Sequence, residues 1–220
     1  MELNSDFAQR VVVHGQHLSW QPSPMAGVER RMLDRIGGEV ARATSIVRYA
    51  PHSQFLAHTH GAGEEFLVLE GVFQDEHGDY PVGTYVRNPP QSSHTPSSKG
   101  GCVIFVKLRQ FADSDRTEVK AQIQNVLAVE DRQRPGVKIK PLFKDEREEV
   151  RIEQWQPNLE VTFDTPGGAE ILVLEGSLTV GGDNLTTQSW LRSPIESTVV
   201  AKTGAEGATV WLKTGHLLFV

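Results

Sequence analysis

Three histidines and one glutamate have the spacing of a metal-binding set. His58 and His60 stand two residues apart, Glu64 follows four residues later, and His94 lies in the run NPPQSSHTP. Alternate residues of a strand share a face, so we expect the imidazoles of His58 and His60 to point into the same space. Imidazole and carboxylate ligands are typical of divalent first-row metals. The sequence therefore predicts a metal site made of His58, His60, Glu64 and His94.

The strand parity after the histidines selects the carboxylate. Glu64 has the parity of Phe66, whereas Glu65 has the opposite parity, so only one of the two glutamates faces the imidazoles. Glu65 recurs as Glu170 in a segment that lacks the histidines, which favours a structural role for that position. We therefore expect Glu64 to be the ligand.

The donor set leaves several divalent ions open. We expect one metal ion, with zinc favoured and Fe, Ni, Mn or Co also compatible with imidazole and carboxylate ligands. Cys102 is the single cysteine of the sequence, which excludes an internal disulfide and a CxxC zinc or redox pair. We expect Cys102 to be a small buried residue in a strand, in a protein from a reducing compartment.

The elements that must position these residues are short strands. Runs such as EFLVLEG and CVIFVKL are apolar on both parities, which indicates strands covered on both faces. The 20 glycines and 12 prolines provide frequent turn signals between the runs. No long amphipathic helix is evident. Regularly spaced short strands favour an all-β antiparallel sandwich or small barrel.

The chain contains an internal repeat. Residues 65–71 read EFLVLEG and residues 170–176 read EILVLEG, which are identical at six of seven positions at an offset of 105. The repeat predicts two copies of one domain, residues 1–115 and residues 116–220, joined by the polar connector ADSDRTE. Residues 119–123 alternate between apolar and polar, and we expect them to form the strand that opens the second copy.

The predicted ligands are missing from the second copy. At the repeat offset, the four ligand positions are occupied by Phe163, Thr165, Ala169 and Val199. None of these side chains is a usual metal ligand. We expect this half to be a packing partner without metal, with a ligand pocket of its own as the alternative.

Charge and hydropathy exclude several classes of function. The net charge is −6 and the basic residues are scattered, so no patch for direct nucleic-acid binding is evident. No apolar run approaches the length of a membrane span, and the start MELNSDFAQR has no secretory signal pattern. We expect a soluble cytoplasmic protein without membrane association.

The histidine segment resembles the first cupin motif, G(X)5HxH(X)3-4E(X)6G. His58, His60, Glu64 and Gly71 fall in place, while His52 replaces the opening glycine. The second motif, G(X)5PxG(X)2H(X)3N, is matched by Gly83, Pro89 and His94, and Gln91 and Ser98 depart from it. The resemblance implies a cupin double-stranded β-helix, a jelly-roll barrel, in two tandem copies.

More narrowly, the run from His58 to Ser98 looks like the cupin domain of ChrR-type anti-sigma factors. The resemblance implies a metal, usually zinc, and a role in transcription regulation, since this cupin is thought to govern release of a sigma factor under singlet oxygen. Those regulators also have a helical domain with an HxxxCxxC zinc motif, which one cysteine cannot supply and for which we expect no counterpart here. We therefore expect the protein to act through a separate regulatory protein partner and not to bind a sigma factor directly.

Two functions fit the predicted metal site. The first is a regulatory or sensor cupin in which a zinc ion with four protein ligands is mainly structural. The second is an Fe(II)-type dioxygenase acting on a small dicarbonyl or phenolic ketone bound at the metal, because six-coordinate iron would keep two vacancies. For a pocket wall we select residues on the motif strands: Phe66, Tyr85, Arg87 and Phe105.

Some further positions have expected structural roles. Arg87 and Arg192 occupy matching repeat positions, and we expect the same ion pair or carbonyl contact from both. We expect the histidines outside the metal set to lie in turns or at the surface, His216 among them. The assembly is predicted to be a pseudo-dimeric monomer or a homodimer.

Overall fold

The computed structural model describes all 220 residues, and it is built almost entirely from β-strands. The strands of the first part of the chain are β1 (Glu2–Leu3), β2 (Val11–His14), β3 (Gln21–Pro22), β4 (Val28–Gly37), β5 (Ala41–Tyr49), β6 (Ser53–Gln54), β7 (His58–Thr59), β8 (Glu64–Asp75), β9 (Gly78–Pro81), β10 (Thr84–Asn88), β11 (Ser93–His94), β12 (Ser97–Ser98), β13 (Cys102–Leu108) and β14 (Val119–Gln122). The strands of the second part are β15 (Val129–Glu130), β16 (Val137–Lys144), β17 (Glu149–Trp155), β18 (Glu160–Thr165), β19 (Ala169–Val180), β20 (Asp183–Thr186), β21 (Ser189–Ser193) and β22 (Ser197–Thr214). The prediction of an all-β chain is confirmed.

Helical structure is limited to short turns of 3-10 helix. These turns span Gly15–His17, Ile123–Asn125 and His216–Phe219. No helix of the structure has the length and apolar character needed to cross a membrane.

The chain folds into two compact units that are discontinuous in sequence. The first unit comprises Met1–Ser5 and Ser19–Gln124, and the second comprises Asp6–Leu18 and Asn125–Val220. The expected division after residue 115 differs from these units in two segments. Residues 6–18 belong to the second unit, and residues 116–124 belong to the first. Each unit has its own sheet and its own buried core.

The sheet of the first unit follows the order β1-β4-β5-β13-β8-β10-β14, and β7 pairs with β11 in a separate ribbon. The first five residues of β8 are all buried, as expected of a strand covered on both faces. Phe66 and Val68 lie on one face of β8 and pack in a core cluster with Phe73 and Ile104. This face is the one that carries Glu64, because side chains two apart share a face.

The sheet of the second unit follows the order β15-β16-β17-β22-β19-β21-β2. Its pairing repeats that of the first unit. Glu65 on β8 lies opposite Lys107 on β13, and Glu170 on β19 lies opposite Lys213 on β22. The core contains Ile171, Val173 and other apolar residues of one face.

Two edge strands, β14 and β2, pair with sheets other than those that the repeat predicts. β14 pairs antiparallel with β10 of the first unit, with Ala121 opposite Tyr85. β2 pairs in the same way with β21 of the second unit, with Val12 opposite Leu191. The expectation that residues 119–123 open the second copy is therefore wrong. Alternation identifies a strand, but it does not specify the edge to which the strand binds.

Candidate metal centre

The three histidines are brought together by a short two-stranded ribbon. His58 on β7 is the direct partner of His94 on β11. The backbone extends this pairing, since the amide of His60 donates to the carbonyl of Ser92 at 2.9 Å and the amide of Gln91 donates to the carbonyl of His60 at 2.8 Å. Side chains of directly opposed residues lie on one side of the ribbon, which places His58 beside His94. The parity of His60 puts it on the same side.

The resulting cluster is compact. One ring nitrogen from each of His58, His60 and His94 lies within 4.8 Å of the others. The ring centroids are 4.7 to 5.0 Å apart. His60 and His94 are buried, whereas His58 is exposed and opens one side of the cluster to solvent.

The first residue of β8 supplies a carboxylate to this cluster. Oε2 of Glu64 lies 3.5 Å from Nε2 of His60 and 3.6 Å from Nε2 of His94. The side-chain amide of Asn88, directly opposite on β10, donates to the same oxygen at 3.1 Å. Glu65 lies on the other face of β8, where it accepts a hydrogen bond from the hydroxyl of Tyr85. The structure thus brings Glu64, and not Glu65, to the imidazoles.

The imidazoles of His60 and His94 are kept neutral by burial, and each has an unpaired ring nitrogen that could bind a metal ion. Nε2 of His60 and Nε2 of His94 are buried and have no hydrogen-bond partner. Burial, with a smaller contribution from His58, lowers the pKa of His60 to about 4. Burial also lowers the pKa of His94, although Glu64 opposes that shift. Neutral imidazoles with unpaired buried nitrogens are costly in a protein core, and a divalent cation would satisfy them.

A carboxylate that the sequence did not single out lies behind His94. Oδ2 of Asp75, at the end of β8, is 3.4 Å from Nδ1 of His94, on the side of the ring away from Glu64. The other oxygen of Asp75 accepts hydrogen bonds from the hydroxyl of Tyr80 at 3.0 Å and from the amide of His77 at 2.8 Å. Metal-bound histidines commonly have a carboxylate at the second ring nitrogen. Asp75 has this position relative to His94.

Comparison with known proteins assigns the part of the chain that holds this cluster. Residues 8–112 match the family described as ChrR Cupin-like domain. The matched segment includes His58, His60, Glu64 and His94. A comparison with curated proteins gives no match.

Solved structures share the fold at low sequence identity. A protein from Nostoc punctiforme, provisionally described as a dioxygenase, has a TM-score of 0.79 at 16% identity, over 97% of this chain and 85% of that one. A cupin 2 conserved barrel domain protein from Leptotrichia buccalis has a TM-score of 0.63 at 11% identity, over 93% and 96% of the two chains. The bacterial pirin YhhW from Escherichia coli, in complex with nickel(II), has a TM-score of 0.66 at 12% identity, over 94% and 99%. These likenesses show an all-β, cupin-like barrel fold.

Most of the pocket residues selected from the sequence lie away from the histidine cluster. Only Phe66 shares the face of Glu64. Tyr85 and Arg87 alternate with the inward-facing Val86, and Phe105 alternates with inward-facing neighbours on β13. All three are buried on the opposite face of the sheet. The selection used strand membership without parity, and a shift of one residue reverses the face.

On that opposite face, the two matched arginines make the same kind of contact. Arg87 donates to the carbonyl of Thr117 at 3.4 Å, and Arg192 donates to the carbonyl of Asp6 at 2.9 Å. The expected structural role is therefore found in both units. His216, expected in an exposed turn, is instead buried, with Nε2 at 2.9 Å from Oε1 of Glu170. Its turn packs inward because Leu217 is also buried.

The positions that match the metal cluster in the second unit are filled by packing. Phe163 lies directly opposite Val199, as His58 lies opposite His94. Val199 and Ala169 belong to the core cluster, and Phe163 packs against it. The hydroxyl of Thr165 is hydrogen-bonded to the carbonyls of Pro194 and Ser197, at 3.1 and 2.9 Å. This set contains no imidazole or carboxylate, so it does not form a second metal cluster.

Proposed function

We propose that the ChrR cupin-like domain binds one divalent transition-metal ion, with zinc favoured, through His58, His60, His94 and Glu64. The observation that carries this proposal is the approach of the three ring nitrogens to within 4.8 Å of one another beside a buried carboxylate. His58 and His94 lie on the ribbon β7–β11, His60 directly follows β7, and Glu64 is the first residue of β8. A bound ion would therefore connect the ribbon to the start of β8. The remaining candidate ions are Fe, Ni, Mn and Co.

The metal is proposed to act as a structural and sensory element. A zinc ion with four protein ligands has a closed tetrahedral shell, and its binding free energy contributes to folding. The chain's own residues would prepare the site: Asn88 holds the carboxylate of Glu64, and Asp75 lies behind His94. Loss or oxidation of a ligand would then loosen the ribbon and change the surface at His58.

The family match favours a regulatory role for this metal site over catalysis. We propose that the domain works through a separate protein partner, because the single cysteine of the chain cannot form the HxxxCxxC motif of ChrR-type regulators. The second unit is proposed to be a second cupin copy that has lost the metal. Its repeated strand register and the three apolar replacements of the ligands, Phe163, Ala169 and Val199, support this proposal.

Metal analysis of the purified full chain tests the binding site. We expect about one zinc per wild-type chain by mass spectrometry of the metals, and loss of the metal in His94→Ala. His77→Ala is the matched control, because His77 is exposed in the hairpin next to the site. Equal metal content in wild type and His94→Ala would contradict the proposed ligand set.

Oxygen consumption distinguishes the regulatory function from an enzyme. The protein as purified and the protein reloaded with Fe(II) are each given a panel of small dicarbonyls and phenolic ketones under air. We expect no substrate-dependent uptake of oxygen. Turnover that requires iron and is lost in His94→Ala would replace the regulatory proposal with a cupin dioxygenase.

A further inference from the structure

A cavity in the second unit lies beside the positions that match the metal cluster. Its volume is about 690 Å³, within the range of small-molecule pockets. The lining includes Phe163 and Thr165, the counterparts of His58 and His60, together with Ile139. It also includes two arginines, Arg134 and Arg151. Three carboxylates line it as well, those of Asp131, Glu149 and Asp164. The cavity thus combines an apolar wall with two guanidinium groups that are set among acidic side chains.

Arg151, which lines this cavity, and Glu153 behind it have no charged counterpart in the first unit. Arg151 lies opposite Leu212 on the second sheet, and the residue in the same register position of the first sheet is Ser45, opposite Val106. Two residues further, Glu153 occupies the position of Val47. The first unit therefore folds with a small polar and an apolar residue at these positions. The charges of Arg151 and Glu153 are therefore not a requirement of the fold.

Glu153 anchors both arginines. It is fully buried and accepts hydrogen bonds from Nη1 and Nη2 of Arg134 at 3.0 and 2.7 Å, from Nε of Arg151 at 2.7 Å and from the indole of Trp155 at 2.7 Å. Nε of Arg134 is bound in addition to Asp131 at 2.6 Å. Buried ion networks of this kind seldom stabilise a core better than apolar residues do. The open guanidinium edge that this network holds at the cavity therefore calls for a reason other than stability, and a bound ligand would supply one.

The outer edge of Arg151 is only weakly held within the protein. The side chain is 10% exposed, and Nη1 is 3.3 Å from the hydroxyl of Thr214 and 3.5 Å from Oε1 of Glu149. Glu149 is 32% exposed and forms a closer contact, at 2.8 Å, with Lys144. The contacts of Arg151 use Nε and Nη1, so Nη2 is left for a ligand. A guanidinium fixed on its Nε side and open on its terminal side is suited to bind a carboxylate.

We propose that the second unit binds a small organic carboxylate, whose charge pairs with Arg151 and whose short apolar body lies against Phe163 and Ile139. The ligand carboxylate would take the place that Glu149 partly fills, and Lys144 would keep Glu149 neutralised. Arg134 is already paired by Asp131 and Glu153, so it shapes the wall and orders Arg151 through Glu153. This site is independent of the metal proposed for the first unit.

Calorimetric titration of the full chain tests the proposal. The probes are benzoate and butyrate, and the uncharged controls are benzamide and butyramide. We expect saturable binding of at least one carboxylate, and weaker binding of its amide by at least about tenfold, because the amide cannot form the charge-assisted pair. The same loss is expected in Arg151→Met. Arg151→Lys retains the charge but loses the planar fork, so we expect an intermediate affinity.

Two further variants locate the binding. Arg10→Met removes an exposed arginine of the same unit, paired with Asp183, and should leave the affinity unchanged. His94→Ala disrupts the proposed metal site and should also leave it unchanged. Loss of binding in His94→Ala would place the carboxylate on the metal and overturn the proposal. No binding of either probe up to about 10 mM, or equal binding by wild type and the folded Arg151 variants, would overturn it as well.

Discussion

Asp75 is the residue whose role at the metal site is most open to a direct test. Its carboxylate lies 3.4 Å from Nδ1 of His94 and is itself fixed by Tyr80 and by the amide of His77. We predict that Asp75→Asn weakens zinc binding by at least about tenfold, because a carboxylate at the second ring nitrogen orients the imidazole and increases its basicity. Competition with a chromophoric chelator measures the affinity.

A neighbouring aspartate provides the control for that measurement. Asp79 lies on the same hairpin but is exposed, and its carboxylate accepts a hydrogen bond from Gln74. Asp79→Asn should bind zinc as wild type does. If both variants lose affinity equally, the effect comes from hairpin charge and not from the contact with His94.

Cys102 should be unreactive in the folded protein. It is 4% exposed, and burial raises the pKa of its thiol to about 11, although a hydrogen bond with Ser98 opposes the shift. The ordinary value is 9.0, so at pH 8 the native thiolate fraction is about a hundredfold lower than in the unfolded chain. We predict correspondingly slow labelling by a disulfide reagent. Rapid labelling of native protein at pH 8 would contradict this burial.

The same pKa shift has a consequence for stability. Because the folded-state pKa lies above the unfolded value, the neutral thiol contributes stability that is fully present below about pH 9. As the pH rises from 9 towards 11, the unfolded chain ionises first and the contribution is lost. Urea unfolding of wild type and Cys102→Ala across this range should show a smaller pH slope in the variant.

At the residue scale, alternation along a strand predicted which side chains meet at the histidine cluster, whereas membership of a strand alone did not predict which residues line a pocket. The period of two placed His58 beside His60 and separated Glu64 from Glu65. The same rule, had it been applied to Tyr85 and Arg87, would have assigned them to the other face. Asp75 was beyond reach, because its approach to His94 depends on the return of a long strand that no local pattern encodes.

At the scale of elements, the repeated motif ends in a glycine that the strands require. Gly176 has a φ of +73°, and an added Cβ would collide with the carbonyl of Gly207. Gly71 has a φ of +69° and meets the carbonyl of Gly101 in the same way. The EFLVLEG and EILVLEG runs therefore end in glycine because the backbone there approaches the backbone of the paired segment too closely for a side chain.

We predict that Gly176→Ala destabilises the protein much more than a glycine substitution at a turn. Gly182 also has a positive φ, +91°, but nothing lies within 4 Å of an added Cβ. Gly182→Ala should cost about 1 kcal/mol from backbone strain alone, and Gly176→Ala at least about 2 kcal/mol more, because it adds the collision. Urea unfolding measures both. Equal costs would show that the backbone at Gly176 relaxes to accept a side chain.

The strands themselves were predictable because their signal is local. Apolar runs on both parities gave β8, β13 and β19, and turn residues gave their ends. The charged cavity of the second unit was not predictable. Arg151 and Glu153 alternate with apolar residues as a half-exposed strand would, and only the sheet shows that they face inward.

At the scale of the whole molecule, the two units exchange their edge strands. β2 lies near the start of the chain but completes the sheet of the second unit. β14, the strand expected to open the second copy, instead pairs with β10 in the sheet of the first unit. A repeat in sequence defines equivalent segments, but it does not determine which of two equivalent edges each segment binds. The units were therefore expected to divide at one point, and the structure divides them at three.

The exchange predicts that a cut at the expected boundary leaves the first unit incomplete. A fragment of residues 19–124 contains β14, whereas a fragment of residues 19–115 lacks it and exposes the edge of β10, where Arg87 also loses its bond to the carbonyl of Thr117. We expect the longer fragment to unfold at a higher urea concentration, by at least about 2 kcal/mol in free energy, since an unpaired edge loses its ladder hydrogen bonds and its cross-strand contacts. A fragment of residues 19–124 carrying Ala121→Pro is the control for chain length, because proline cannot donate in the ladder with Tyr85. If the Ala121→Pro fragment and the fragment of residues 19–115 both have the unfolding free energy of the intact fragment of residues 19–124, β14 contributes nothing to the stability of the first unit.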